Sequence, residues 1–185
     1  MAVGAVVLIW AALDIALATW SRRQDEANLR RIHAPVTEKK TSAGPASLSV
    51  GDPVGTLYIP RLGVAGVVVE GDESHVLDRA IGHLPDTPLP WQTGNSALAA
   101  HRDTIFRPLK DVRSGDVLRL ATPHGDFTYR VRETVIVQPD DLWVLDATPV
   151  SMLTLISCYP FHYIGPAPER FIVRAELIPV EARHD

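Results

Sequence analysis

Short apolar runs separated by turns rich in proline and glycine dominate residues 54–178. The clearest run is 127–132, where Phe127, Tyr129 and Val131 alternate with polar residues, as in a strand with one buried face. Further runs of this kind lie at 55–60, 64–70, 97–101, 116–121, 134–137, 152–158 and 170–178. About seven or eight short strands with such turns predict an all-β barrel or sandwich.

Helical patterns are few in this part of the chain. Residues 74–81 carry apolar side chains at helical spacing and predict a helix. Residues 104–112 have a similar pattern, but Pro108 limits them to a short turn. Residues 82–94 carry several prolines and predict a loop.

The N-terminus begins with a mostly apolar segment at residues 2–20, which is long enough to cross a membrane at about 1.5 Å per residue. Trp20 lies at its end, where an interfacial anchor is expected. Asp14 lies inside the segment and makes insertion less favourable by about 2.5–3.5 kcal/mol. A cleaved signal peptide ending near residues 16–18 is the weaker alternative.

The chain therefore divides into three predicted parts. Residues 1–20 form a transmembrane helix, and residues 54–185 form the folded domain. Between them, residues 21–53 begin as a polar helical stalk and continue as a stretch rich in serine, threonine, glycine and proline, which predicts a flexible linker.

Charge and cysteine content exclude several classes of function. The 185 residues carry a net charge of −4, so no basic excess favours a nucleic-acid partner. Cys158 is the only cysteine, which rules out an intramolecular disulfide. No cysteine–histidine cluster has the spacing of a zinc site, and we expect no metal and no cofactor.

Three polar residues stand at the ends of predicted strands. Cys158 ends the run at 152–158, Arg170 opens the next run twelve residues later, and His101 ends the run at 97–101. Thiol acyl transfer needs a thiolate, a proton carrier and a donor to the carbonyl oxygen, which these three residue types supply. Taken singly, each has an ordinary structural explanation, since a lone cysteine is usually a small buried hydrophobe. His162 is the main rival partner for the thiol.

The sequence around these residues resembles the sortase family of bacterial cysteine transpeptidases. Residues 154–158, Thr-Leu-Ile-Ser-Cys, resemble the TLxTC signature of sortases, and residues 98–103 and 170–173 resemble the strands that carry the sortase histidine and arginine. The string from Cys158 to Arg170 is most similar to class D sortases. The similarity covers about residues 54–178 and implies a closed β-barrel of about eight strands. Ser157 departs from the usual threonine.

The resemblance implies a role for each residue of the trio. Cys158 would be the nucleophile that forms a thioacyl enzyme, His101 would move the proton, and Arg170 would bind the substrate backbone and steady the oxyanion. Ser157 would help to hold the acyl group.

The loop at 138–151 is expected to shape the substrate pocket. Leu142 and Trp143, together with Leu145, are candidate walls, with ordinary core packing as the equal alternative. Calcium ligation by the acidic pairs at 72–73 and 140–141 is less favoured than solvated turn charges.

The resemblance also implies partners and a location. Expected substrates are exported proteins with a C-terminal LPxTG- or LPxTA-like sorting signal, and the acceptor is a peptidoglycan precursor or another envelope amine. The domain would face outward from the bacterial cytoplasmic membrane on a single-pass anchor. Arg22 and Arg23 follow the apolar segment and argue for the opposite orientation, by the positive-inside rule.

Other functions remain open at this point. Water could be the main acceptor, which would make the protein a thiol protease. The barrel could also bind peptides without cutting them, or belong to a cytoplasmic thiol enzyme with reversed topology.

Overall fold

Eight strands close into a barrel in the computed structural model, which describes residues 48–162 and 165–179. The strands are β1 (Pro53–Ile59), β2 (Val64–Glu70), β3 (Ile81–His83), β4 (Asn95–Ala99), β5 (Val117–Thr122), β6 (Gly125–Val137), β7 (Met152–Tyr159) and β8 (Glu169–Leu177). A short helix, α1, spans Ser74–Leu77, and 3-10 turns span Pro60–Leu62, Arg107–Asp111 and Leu142–Leu145. The predicted all-β class and closed eight-stranded barrel are confirmed.

Two parallel pairings interrupt an otherwise antiparallel barrel. The strands follow the order β1, β2, β3, β4, β7, β8, β6 and β5, and β5 pairs with β1 to close the ring. β2 runs parallel to β3, and β4 runs parallel to β7. Parallel neighbours need a crossover connection; α1 lies in the first, and the hairpin of β5 and β6 lies in the second. The C-terminal ends of β4 and β7 therefore emerge at the same edge of the barrel.

Alternate residues of the strands fill the barrel interior. On β5, Leu118 and Leu120 are fully buried while Arg119 is exposed, the pattern expected of a sheet with one wet face. Tyr129 of β6 is also buried, and its hydroxyl donates to the carbonyl of Pro90 at 3.2 Å. Burial raises the pKa of Tyr129, so the phenol stays neutral within the core.

The segment between β2 and β4 differs from its prediction. The helix predicted over 74–81 ends at Leu77, and Ile81–His83 forms β3 where a loop was expected from residue 82 onward. β3 pairs with β2 on one side and with β4 on the other. A three-residue strand of this kind is formed by its neighbours, so periodicity within the sequence does not reveal it.

The predicted anchor over 1–20 and nearly all of the predicted stalk and linker lie outside the described residues. Within the part of the chain that the structure describes, no helix has the length and apolar character needed to cross a bilayer. Residues just before β1 lie against the barrel: Leu48 packs on the core, and the Gly51 N–H donates to the Glu70 carbonyl at 2.8 Å.

A charged contact fixes the turn after β1 to the turn before β5. The carboxylate of Asp116, itself buried, accepts hydrogen bonds from Nη2 of Arg61 at 2.6 Å and from the backbone N–H of Arg113 at 2.8 Å. The hydrogen bond from Arg61 holds the pKa of Asp116 below its usual range. A carboxylate of this kind stabilises the fold at neutral pH, and the contribution is lost as the pH falls through its lowered pKa.

Replacing Asp116 with Asn removes the charge and weakens both contacts. We expect the variant to melt at a lower temperature than the parent at pH 7, because the parent carboxylate is ionised and hydrogen-bonded there. The difference should shrink once the pH falls below about 4, where the carboxyl of the unfolded chain takes up a proton. Thermal unfolding followed by circular dichroism from pH 7 to pH 3 measures this. An equal difference at every pH would contradict it, and Asp126→Asn on the exposed β6 serves as the control.

Candidate active site

Cys158 and Arg170 face each other across two paired strands. β7 and β8 are antiparallel, and their register sets Cys158 directly opposite Arg170. Cys158 is half-buried near the end of β7, and Arg170 is half-buried near the start of β8. The twelve residues between them in sequence are therefore a hairpin connection, and the strand register brings the two side chains together.

His101 reaches the same edge from the other neighbour of β7. β4 and β7 are parallel, with Ala99 opposite Ile156, so the residues after Ala99 lie beside the end of β7. The Ala100 N–H donates to the Ile156 carbonyl at 3.2 Å, which extends the ladder by one step beyond β4. His101 is the next residue, so it leaves the sheet alongside Cys158.

A groove with a volume of about 440 Å³ lies at this edge, and we call it the active-site groove. His101, Cys158 and Arg170 all line it. Its remaining lining includes apolar side chains from four elements, namely Val137, Val144, Leu145, Ile156 and Ile172. The structure thus brings the sequence-predicted trio together at one cleft, and their catalytic roles remain a prediction.

His101 and Arg170 each have polar neighbours. Nε2 of His101 lies 3.4 Å from Oδ1 of Asp78, and the two side chains are 36% and 67% exposed. Nη1 of Arg170 donates to the carbonyls of Glu169 at 3.0 Å and Ala167 at 3.3 Å. Nε and Nη2 are the guanidinium donors that a substrate oxygen can use.

The loops that carry these residues are also joined to each other. Nη2 of Arg102, the residue after His101, donates to the carbonyl of Gly165 in the connection between β7 and β8 at 3.0 Å. This contact limits the separation of the two loops.

Ser157 lies in the wall of the groove, and its side chain is almost fully buried. Its hydroxyl donates to the carbonyl of Ala100 at 3.3 Å. Ser157 therefore keeps a hydroxyl at the position where the TLxTC signature has threonine. This hydroxyl joins β7 to Ala100, the residue before His101. Its predicted contact with the acyl group remains a prediction.

The three candidate wall residues differ in position. Leu142 lines the groove and is 66% exposed. Trp143 is not among the groove's lining residues; its ring lies under the guanidinium of Arg174, 5.7 Å from the ring centroid. Val144 and Leu145 line the groove instead, and of these the sequence pointed only to Leu145.

The structure also locates His162, the rival partner for the thiol, and the acidic residues considered as calcium ligands. His162 is exposed and does not line the groove. Asp72 and Asp141 line it, but among residues 48–162 and 165–179 no group of three or more acidic, histidine or cysteine side chains is placed to hold a metal ion. The contact of Asp78 with His101 could not be predicted from the sequence, because Asp78 follows a one-turn helix and belongs to no recognisable motif.

A closed barrel that brings a thiol, an imidazole and a guanidinium to one groove defines a class of thiol acyl-transfer enzyme. Comparison with protein families matches residues 57–178 to the Sortase domain family. The chain therefore belongs to the sortase family and is a cysteine transpeptidase.

Known relatives agree with this assignment. Sortase D of Bacillus subtilis strain 168 is 34% identical over 159 residues, which cover 85% of this chain and 79% of that protein. A solved Sortase D5 transpeptidase from Clostridium perfringens has a TM-score of 0.65 and 29% identity, over 71% of this chain and 82% of that one. The X-ray structure of sortase C from Clostridium perfringens SM101 has a TM-score of 0.64 and 29% identity, over 72% and 73% of the two chains.

Replacing Asp78 with Asn tests how much His101 depends on its acidic neighbour. The pair is solvent-exposed, so water screens it, and we expect kcat/KM for a sorting-signal peptide to fall by no more than about fivefold. Steady-state kinetics measures the change, with Glu73→Gln, outside the groove lining, as the matched neutralisation. A loss of more than about a hundredfold would mean that Asp78 takes part in proton transfer.

Proposed function

We propose that the protein is a membrane-anchored sortase that cleaves an LPxTG- or LPxTA-like sorting signal and transfers the acyl fragment to a cell-envelope amine. The observation that carries this proposal is the meeting of His101, Cys158 and Arg170 at one groove through the pairing of β4, β7 and β8. The substrates are exported proteins with a C-terminal sorting signal, and the acceptor is a peptidoglycan precursor or another envelope amine.

The first half of the reaction breaks the peptide bond. The Cys158 thiolate attacks the carbonyl carbon of the threonine in the signal, and the carbonyl oxygen takes the negative charge. His101, protonated, gives its proton to the leaving amine as the carbon–nitrogen bond breaks. The product is a thioester on Cys158, with the C-terminal fragment released.

The second half forms the new bond. Neutral His101 takes a proton from the incoming amine, which attacks the thioester carbonyl. Cys158 leaves as a thiolate, and the thiolate–imidazolium pair is restored. Both tetrahedral intermediates carry an oxyanion, which Arg170 stabilises by its fixed charge and its free donors.

The shape and polarity of the groove support an apolar signal. Val137, Ile156 and Ile172 are contributed by β6, β7 and β8, and the 3-10 turn Leu142–Leu145 adds Leu142, Val144 and Leu145. A concave, mostly apolar cleft that also carries a thiol, an imidazole and a guanidinium suits a peptide whose first residues are leucine and proline.

The location follows from the substrates. Exported proteins and envelope amines lie outside the cytoplasmic membrane, so the barrel faces outward, with residues 1–20 as the anchor and residues 21–53 as the tether. Arg22 and Arg23 oppose this orientation under the positive-inside rule. Protease accessibility of the barrel in intact cells decides between the two orientations.

Incubating the purified full chain with LPxTG and LPxTA peptides tests the chemistry. We expect mass spectrometry to detect a thioacyl adduct on Cys158, and joined product when triglycine or diaminopimelate is added. Cys158→Ala should abolish both. An adduct that resolves mainly to free acid, even with amine present, would favour a thiol protease. No adduct with either peptide would contradict the proposed signal.

Replacing Arg170 with Lys keeps the charge and removes the forked donors. We expect kcat to fall by about tenfold to a hundredfold with a smaller change in KM, because the lost contacts strengthen as the oxyanion forms. Stopped-assay kinetics with an LPxTG peptide measures both constants. Arg130→Lys, an exposed change on β6, is the control, and an unchanged kcat in Arg170→Lys would rule out the oxyanion role.

A further inference from the structure

A buried amide lies between the barrel and the turn that forms one wall of the active-site groove. Asn95 is the first residue of β4 and is fully buried. Its Nδ2 donates to the carbonyl of Val144 at 2.8 Å and to that of Asp146 at 3.3 Å. Its Oδ1 accepts from the hydroxyl of Thr154 at 2.7 Å. Two neighbouring strands and the turn after β6 therefore share one hydrogen-bonded group.

The chemistry of the partners fixes which way the amide points. The two backbone carbonyls can only accept, so the amide nitrogen must face them, and Oδ1 then faces Thr154. Thr154 is also fully buried, and its hydroxyl supplies the one proton that Oδ1 needs. A flipped amide would set its oxygen against two carbonyl oxygens in a fully buried site, which is strongly unfavourable.

The 3-10 turn that Asn95 holds has few hydrogen bonds of its own to fix its position. Leu142–Leu145 is a single 3-10 turn without a side-chain cap at its N-terminus, and such turns are short and weakly hydrogen-bonded. Val144 packs against Val137 and Ile172 at the floor of the groove. On the outer side, the Trp143 ring lies against the guanidinium of Arg174. The hydrogen bonds from Asn95 to the carbonyls of Val144 and Asp146 therefore attach this wall to the barrel.

We propose that Asn95, positioned by Thr154, is a specificity-determining residue that acts through the wall rather than by touching the substrate. Val144 and Leu145 line the groove and pack on the cluster formed with Ile172 and Ile156, so the position of this wall on that floor sets the size of the apolar side chain that fits above them. A fixed wall discriminates between apolar residues of different size; a wall free to move accepts them more equally. This inference rests on the proposed function, because it assigns the apolar residue of the sorting signal to this groove.

The test compares Thr154→Val with Thr154→Ser. Valine keeps the shape of threonine and removes the proton that holds Oδ1, whereas serine keeps that proton. Each change is made in the Cys158→Ala background, so that binding is measured without turnover. The readout is the ratio of Kd values for two peptides that differ only in having leucine or alanine at the first position of the signal.

With threonine or serine at position 154 we expect the leucine peptide to bind at least about tenfold more tightly than the alanine peptide. With valine we expect that ratio to fall by about fivefold to tenfold, because the loss of one buried hydrogen bond frees the wall. Hydrogen exchange of the amides at 142–146 should speed up in Thr154→Val and stay unchanged in Thr154→Ser. Thr56→Val on β1, across the barrel, controls for the loss of a threonine hydroxyl as such.

The possible failures can be told apart. Faster exchange at the turn with an unchanged Kd ratio would overturn the inference, as would unchanged exchange. A changed ratio together with no thioacyl adduct in the unmutated protein would leave the inference standing and contradict the proposed reaction. No binding of either peptide would overturn both. If Thr154→Val lowers the melting temperature below the assay range, Thr154→Cys, which keeps a small side chain and replaces the hydroxyl with a weaker S–H donor, gives the same comparison.

Discussion

The pairing register of β4, β7 and β8 is the constraint on which the active site depends. Two neighbours flank β7, one parallel and one antiparallel, and each delivers one partner of Cys158 to the same edge. Side chains alternate between the two faces of a strand, so a slip of one residue in β8 would turn Arg170 away from the thiol. Val173 and Ala175 of β8 are buried in the core and oppose such a slip, because it would turn them out of the core as well.

The groove depends on the same sheet in a different way. Its floor consists of side chains from β6, β7 and β8, which the barrel core holds in place, whereas its wall is a single turn in a loop. Paired strands therefore position His101, Cys158 and Arg170, and a hydrogen-bonded turn positions one wall of the groove. Under the proposed function, the reacting groups and the surface that selects the peptide lie on different elements of one cleft of about 440 Å³.

The sequence predicted most of the fold and the trio, because both leave local signals. Strand alternation at 127–132 and the motif ending at Cys158 can each be read from a few adjacent residues. β3, the contact of Asp78 with His101, and the bonds of Asn95 could not be predicted, since each depends on pairing between distant segments. Trp143 was a candidate for the groove wall, with core packing as the equal alternative, and its contact with Arg174 could not be predicted either, because it joins the loop to a residue of β8.

The order of the strands along the chain has a consequence for biosynthesis. The ring closes only when β7 and β8, the last two strands to be made, insert between β4 and β6. Contacts between segments so far apart form late in folding. A nascent or truncated chain that lacks β8 therefore has the thiol without Arg170, and the proposed active site is assembled only once the barrel is complete.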